Sequence, residues 1–178
     1  MHMPRLIPAL IALAFSGSAS AAGFQLIEQN ASGIGNAYAG SAAVAENAST
    51  IFFNPAGMTP LQAREFSLGV SVVKPSFKFN DNGSSVFNAG PASLSGNGND
   101  GGTLAYIPNG YFSMALNKDI YFGIGFSGPF GLMTEYDSTW LGAAQSISFD
   151  IKTYNINPSV AYRINDKVAV GFGLNWMR

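Results

Sequence analysis

The chain has 178 residues with nine basic and ten acidic side chains, a formal charge of −1, and only 11% charged residues, against about 25% in an average soluble domain. This balance argues against nucleic acid as a partner, which calls for a basic face; the absence of cysteine excludes disulfides, thiolate metal sites and Cys nucleophiles. No stretch reaches the roughly 20 consecutive apolar residues of a membrane-spanning helix, so 47% hydrophobic content with 21 Gly and 14 Phe points to a membrane β-barrel, whose lipid face is apolar only at alternate residues.

Residues 1–21 read as a secretory signal. His2 and Arg5 form a weakly basic start, Leu6 to Phe15 is the apolar stretch, and Ala19-Ser20-Ala21 is a small-x-small cleavage site. Cleavage leaves Ala22 as the mature start, with cleavage after Ala22 the neighbouring alternative. It removes Arg5 and the only histidine, so eight basic residues face ten acidic ones and the mature charge is −2. A mature segment without Cys or His lacks the common ingredients of zinc and triad chemistry. No cofactor or metal is expected, and an enzyme is not.

Residues 22–63 have neither a period of 2 nor a helical stripe; Ala, Gly, Ser and Asn dominate. Placed between an export signal and a series of strands, such a block has the character of a plug around which a barrel closes. Helical turns are expected at 42–45 and after Asn54. There, Asn54 can cap a short helix and Pro55 suits its first position, where no N–H is needed.

From Arg64 the pattern changes. Phe66, Leu68, Val70 and Val72 alternate with Ser67, Gly69 and Ser71, a strand with one apolar face. Residues 80–104, rich in Asn, Gly and Ser, form a long loop, in which Phe87 is a candidate for an outer capture groove. Phe112, Met114 and Leu116 mark a second strand, Asn117-Lys118-Asp119 a tight turn, and Phe122, Ile124 and Phe126 a third strand. Ser127, Gly128, Pro129, Phe130 and Gly131 break it, because Pro129 removes a ladder donor and the glycines relax the backbone. A second long connection is expected to run on to about Gln145. Ile147, Phe149 and Ile151 open a fourth strand whose parity shifts near Thr153, where a β-bulge would serve. Tyr154, Ile156, Val160, Tyr162 and Ile164 then carry its apolar face. Asn165-Asp166-Lys167 is another tight turn, and Val170, Phe172, Leu174 and Trp176 mark a fifth strand.

Connections that alternate long and short are those of outer-membrane barrels, with long loops outside and short periplasmic turns. The expected fold is therefore all-β: a transmembrane antiparallel β-barrel with an N-terminal lumenal hatch. The divisions are a signal peptide (1–21), a hatch (22–63) and the first part of the barrel (64–178). Five strands fall short of the even number, at least eight, that closes a single-chain barrel, and would leave open edges in lipid. The chain is thus expected to be part of a longer protein. Gly123-Ile124-Gly125-Phe126-Ser127-Gly128 matches G-x-G-x-x-G literally, but it lies within a strand and is followed by Pro129 rather than a helix, so it does not predict a nucleotide site. Asp150 and Lys152 share a parity opposite to Ile147, Phe149 and Ile151. They can pair inside the barrel or orient a ligand carboxylate.

These residues together resemble the FadL family of outer-membrane transporters for long-chain fatty acids and other hydrophobic compounds. The resemblance is carried by Ala22-Gly23-Phe24-Gln25-Leu26 at the mature start and by Ser32-Gly33-Ile34-Gly35-Asn36-Ala37-Tyr38-Ala39-Gly40. It continues through Asn54-Pro55-Ala56, Gly131-Leu132-Met133-Thr134-Glu135-Tyr136 and Ser159-Val160-Ala161-Tyr162-Arg163-Ile164-Asn165. It implies a monomeric barrel of about fourteen strands in the outer membrane, within the usual bacterial range. It also implies a hatch that includes Gly23, Phe24, Asn54, Pro55 and Ala56 beside the ligand path, and a lateral exit at the kink of Ser127 to Gly131. The partners implied are a long-chain fatty acid or other hydrophobic small molecule and outer-membrane lipid. Two other readings stay open: a non-transporting surface barrel (an adhesin or structural protein), and an outer-membrane hydrolase whose nucleophile and base would have to come from elsewhere.

Overall fold

The computed structural model describes residues 25–84 and 94–178; the signal segment, Gly23, Phe24 and Phe87 lie outside them. Alternation in the sequence becomes eight antiparallel strand segments: β1 (Arg64–Val73), β2 (Ala105–Ala115), β3 (Ile120–Ser127), β4 (Gly131–Glu135), β5 (Ser148–Lys152), β6 (Asn155–Asn165), β7 (Val168–Gly173) and β8 (Trp176–Met177). The main sheet runs β1-β2-β3-β6-β7, with β8 also on β6, while β4 and β5 pair with each other. No helix among the described residues is long and apolar enough to cross a membrane.

One face of this sheet is apolar and exposed. Phe66, Leu68, Val70, Val72, Tyr106, Val160, Tyr162 and Phe172 all point away from the core, with Leu68 72% exposed. Such a broad apolar face suits lipid rather than water. Both short turns close in the same way. Asn117 Oδ1 accepts from the N–H groups of Asp119 (2.9 Å) and Ile120 (2.8 Å), and Asn165 Oδ1 accepts from those of Lys167 and Val168 (both 2.9 Å). These are turns in which an Asn side chain stands in for a backbone acceptor.

The expected fourth strand is two segments, β5 and β6, parted at Thr153 and Tyr154. Residues 131–135, expected within a long connection, instead form β4, because their backbone pairs with β5 from Gly131–Lys152 to Glu135–Ser148. The fifth strand also divides. Leu174 N–H donates to Pro158 O (3.0 Å), but Pro158 has no N–H to return. Asn157 Nδ2 donates to Leu174 O instead (2.9 Å), supplying the missing donor from a side chain.

The opposite face carries the N-terminal block. Its regular elements are a 3-10 turn, Ser32–Asn36, a one-turn helix α1 (Thr50–Phe53) and a second 3-10 turn, Pro55–Met58. Asn54 caps the last of these, its Oδ1 accepting from Ala56 N–H (3.2 Å) with Pro55 in the first position. The helical turn expected at 42–45 is a hydrogen-bonded turn closed on Gly40 O by the N–H groups of Ala43 and Val44. Ile51 and Met58, essentially fully buried, pack with Ala48 against Tyr111, Tyr121 and Ala161 of the sheet. Burial of side chains of this size stabilises by roughly 1.5–3 kcal/mol each.

Glycines on the wall make room for this docking. A Cβ on Gly123 would lie 2.5 Å from Met58 Sδ and 2.6 Å from Ile51 Cδ1, and one on Gly171 would lie 2.2 Å from Ala56 N. The glycines of the literal nucleotide motif are thus part of a packing surface. A Gly171→Val substitution is expected to lift the Pro55–Met58 turn and cost about 1–3 kcal/mol. Gly35→Ala, with nothing within 4 Å of the new Cβ, is expected to be nearly neutral. Thermal unfolding of the full-length protein in detergent measures both.

Candidate functional site

Three residues, Gly128, Pro129 and Phe130, separate β3 from β4, while two, Thr153 and Tyr154, separate their partners β6 and β5. One extra residue on one strand is a β-bulge, which bends the strand that carries it. The parity shift read near Thr153 therefore has its extra residue on the opposite strand. Thr153 holds the bend. Its N–H and Oγ1 both donate to Phe130 O (3.1 and 2.7 Å), and its Oγ1 accepts from Phe130 N–H (3.0 Å).

The bend interrupts the neighbouring ladder. Pairing of β1 with β2 continues to Val73–Ala105, but pairing of β2 with β3 stops at Gly110–Phe126. Residues 105–109 of β2 thus have no strand partner on that side. The interruption is framed again at its outer end. Gly102 bridges Thr134, Glu135 N–H donates to Gly101 O (2.9 Å), and Thr103 Oγ1 donates to Met133 O (3.4 Å). Between the two ends lie Ile107 and Asn109 on one side and the kink on the other.

The N-terminal block stands behind this gap. Leu26 N–H donates to Pro129 O (2.9 Å), and Gln29 Nε2 donates to Gly128 O (3.3 Å) and to Leu26 O (2.9 Å). Both carbonyls left over by the bend are therefore satisfied by the block. Gln29 is fully buried, and its own carbonyl accepts from Tyr111 Oη (2.8 Å). Two more ties run the same way: Ser71 Oγ donates to Glu28 O (3.4 Å), and Arg163 Nη2 donates to Thr59 O and to Tyr121 Oη (3.0 Å).

The structure brings some of the sequence-derived site residues together and separates others. Ser127, Gly128, Pro129, Phe130 and Gly131 form the kink. A Cβ on Gly131 would lie 3.7 Å from Leu26 Cδ1, so Gly131 and its register partner Lys152 face the block. Asp150 shares that face, and Lys152 Nζ lies 2.6 Å from its Oδ2. Asn54, Pro55 and Ala56 sit elsewhere. Ala56 packs on Gly171, which pairs with Ala161, itself paired with Tyr121. That level is six residues along β3 from Ser127, roughly 20 Å in an extended strand. Sequence reasoning missed Leu26 and Gln29 as partners of the kink and Thr153 as its clamp. No local pattern marks them, because each acts on a carbonyl distant in sequence.

The outer frame depends on one carboxylate. Asp100 Oδ1 accepts from Phe77 N–H (2.8 Å) and Gly102 N–H (3.0 Å), and its Oδ2 accepts from Ser76 Oγ (2.7 Å). The Ser76 hydroxyl and these two N–H groups hold its pKa at about 2, below the ordinary 3.8. Above the outer connections, Trp140 stacks on Tyr136 (4.4 Å between ring centroids) and meets Phe79 edge-on (5.5 Å).

A model of the family described as "Outer membrane protein transport protein (OMPP1/FadL/TodX)" matches residues 12–178. Outer membrane protein P1 of Haemophilus influenzae is 34% identical over 168 residues, covering 90% of this chain and 37% of that protein. The long-chain fatty acid transport protein of Escherichia coli is 33% identical over 160 residues, covering 90% of this chain and 34% of that protein. The chain thus spans a little over a third of the length of these relatives. A crystal structure of a Pseudomonas aeruginosa FadL homologue superposes with a TM-score of 0.76 at 25% identity, covering 88% of this chain and 38% of that one.

A group with a depressed pKa stabilises fully above its ordinary value and loses that contribution as pH falls through the folded value. The Asp100 frame is therefore expected to hold above about pH 4 and loosen between about pH 4 and pH 2. Pepsin cleavage of the outer connection should rise across that window in the full-length protein. An Asp100→Asn variant should be cleaved readily throughout it; cleavage of the parent that stays flat with pH would contradict the assignment.

Proposed function

The chain belongs to the outer-membrane transport protein family of FadL and TodX, and from that membership we propose that it moves hydrophobic compounds, long-chain fatty acids foremost, passively across the outer membrane. The N-terminal block, residues 22–63, is the hatch within the barrel. A ligand captured at the outer connections passes beside the hatch and leaves sideways into the bilayer at the kink of the third strand. The aromatic group of Phe79, Tyr136 and Trp140 suits the capture end. Asp150 and Lys152 lie on the route and neutralise each other there.

The observation that carries this reading is the interrupted β2–β3 ladder with Leu26 and Gln29 directly behind it. A sheet embedded in lipid keeps its backbone groups paired, so a gap in the pairing that is framed at both ends and backed by a separate segment marks a way through. Lateral exit also suits the cargo. Each CH₂ removed from water is stabilised by about 0.8 kcal/mol, and a path that ends in acyl chains keeps that gain. Small backbone shifts of the hatch are sterically less costly because of its own Gly and Ala content. The substrate class is favoured by the likeness to the E. coli fatty acid transport protein, while a monoaromatic hydrocarbon is the comparison substrate.

Uptake by cells carrying or lacking the full-length protein tests this reading. Long-chain fatty acid uptake is expected to depend on the protein; no difference for fatty acid or monoaromatic hydrocarbon would refute transport. Replacing Pro129 and Gly131 together with valine is expected to extend the ladder and cut uptake about tenfold in a properly assembled barrel. Unchanged uptake would reject lateral exit at this place.

A further inference from the structure

Three polar residues of the wall and one of the hatch stand at the level of the kink. Ser127 and Asn155 are partners on the last rung before it. Asn109 lies one residue beyond Gly110, where β2 loses β3. Gln29 reaches the same place from the hatch, through its bond to Gly128 O. All four are more than nine-tenths buried: Ser127 1%, Asn155 1%, Asn109 4% and Gln29 0% exposed. Asn155 is held in place by donating from Nδ2 to Asn175 Oδ1 (2.8 Å). Among the described residues, Gln29 Oε1, Asn155 Oδ1 and Asn109 Nδ2 have no hydrogen-bond partner.

A buried polar atom without a partner costs free energy, so such atoms in a native protein call for an explanation. Here there are two acceptors lacking a donor and one donor lacking an acceptor, all uncharged. An ionised carboxylate brings acceptors only. It would leave Gln29 Oε1 and Asn155 Oδ1 unmet, and Lys152, the cation on this face of β5, is already committed to Asp150 at 2.6 Å. A hydroxyl or a neutral carboxylic acid brings one O–H donor, enough for one of the two orphan acceptors, and an acceptor oxygen for the orphan donor. An uncharged head is also the form that enters hydrocarbon without the large cost of burying a charge.

We propose that Gln29, Asn109, Ser127 and Asn155 form a headgroup subsite behind the exit that takes an uncharged, hydrogen-donating head, a hydroxyl or a protonated carboxyl, and disfavours an ionised one. This rests on the transport reading above. The subsite admits the neutral form of a fatty ligand, a carboxylate having first taken a proton from water, and it sets head-group preference separately from capture outside.

Three probes of equal chain length test it in cells carrying the full-length protein: hexadecan-1-ol, its methyl ether, which lacks only the donor, and hexadecane-1-sulfonate, which stays ionised. In the parent protein, the alcohol is expected to be taken up about tenfold faster than the ether and than the sulfonate. Gln29→Met and Asn155→Leu are each expected to bring the alcohol-to-ether ratio close to one, in barrels whose heat-modifiable mobility on gels shows them assembled. A ratio near one in the parent, a ratio preserved in both variants, or sulfonate uptake equal to that of the alcohol would overturn the subsite. Protein-dependent uptake of none of the probes, nor of fatty acid, would instead refute the transport reading on which the subsite rests.

Discussion

In a lipid-facing sheet a backbone N–H or C=O that leaves its ladder has no water to turn to, and each such group left unpaired costs several kcal/mol. At two of the places where the wall departs from regular pairing, the released group is met by a named donor. At Pro158 the missing N–H is replaced by the Asn157 side chain, which reaches Leu174 O. At the kink the carbonyls of Gly128, Pro129 and Phe130 are taken by Gln29, Leu26 and Thr153. The first repair stays within the wall. The second draws on the N-terminal block, so the bend in the wall and the position of the block are one structural unit.

That coupling explains why the block docks where it does. Its apolar contacts, Ile51 and Met58, start at Tyr121 and Ala161 near the short turns and reach Tyr111, the partner of Gly125. Its polar contacts at Leu26 and Gln29 lie at the kink. The apolar end depends on Gly123 and Gly171, where any side chain would occupy the space of the block. The block is thus held by apolar packing at Ile51 and Met58 and by hydrogen bonds at Leu26 and Gln29. Hydrogen bonds between neutral groups are the weaker of the two attachments, worth about 0.5–1.5 kcal/mol net each.

Charge follows the same division. The described carboxylate with the largest network, Asp100, belongs to the outer frame, where Ser76 and two N–H groups hold it ionised. On the hatch-facing side of β5, Lys152 and Asp150 cancel. At the kink the buried polar side chains, Gln29, Asn109, Ser127 and Asn155, carry no charge. From the outer frame to the kink the side chains thus run from charged to paired to neutral.

Alternation alone placed Phe66 to Val72, Phe122 to Phe126 and Val160 to Ile164 on one face, because a period of 2 is a property of any extended chain. The same local physics marked Asn54 as a cap, the Asn-initiated turns, and Pro129 as the point of a break. What residues could not reveal in order along the chain was which strand carries the extra residue at that break, that 131–135 resume pairing, or that Gly123 and Gly171 are seats rather than spacers. Nor could they join Gln29 to Gly128, 99 positions away. Strand identity and facing are decided by neighbours one to four residues apart, and so are written locally. The kink, its backing and the unpaired amides behind it exist only where distant segments meet, and that meeting is set by the tertiary need to satisfy the carbonyls that the bend releases.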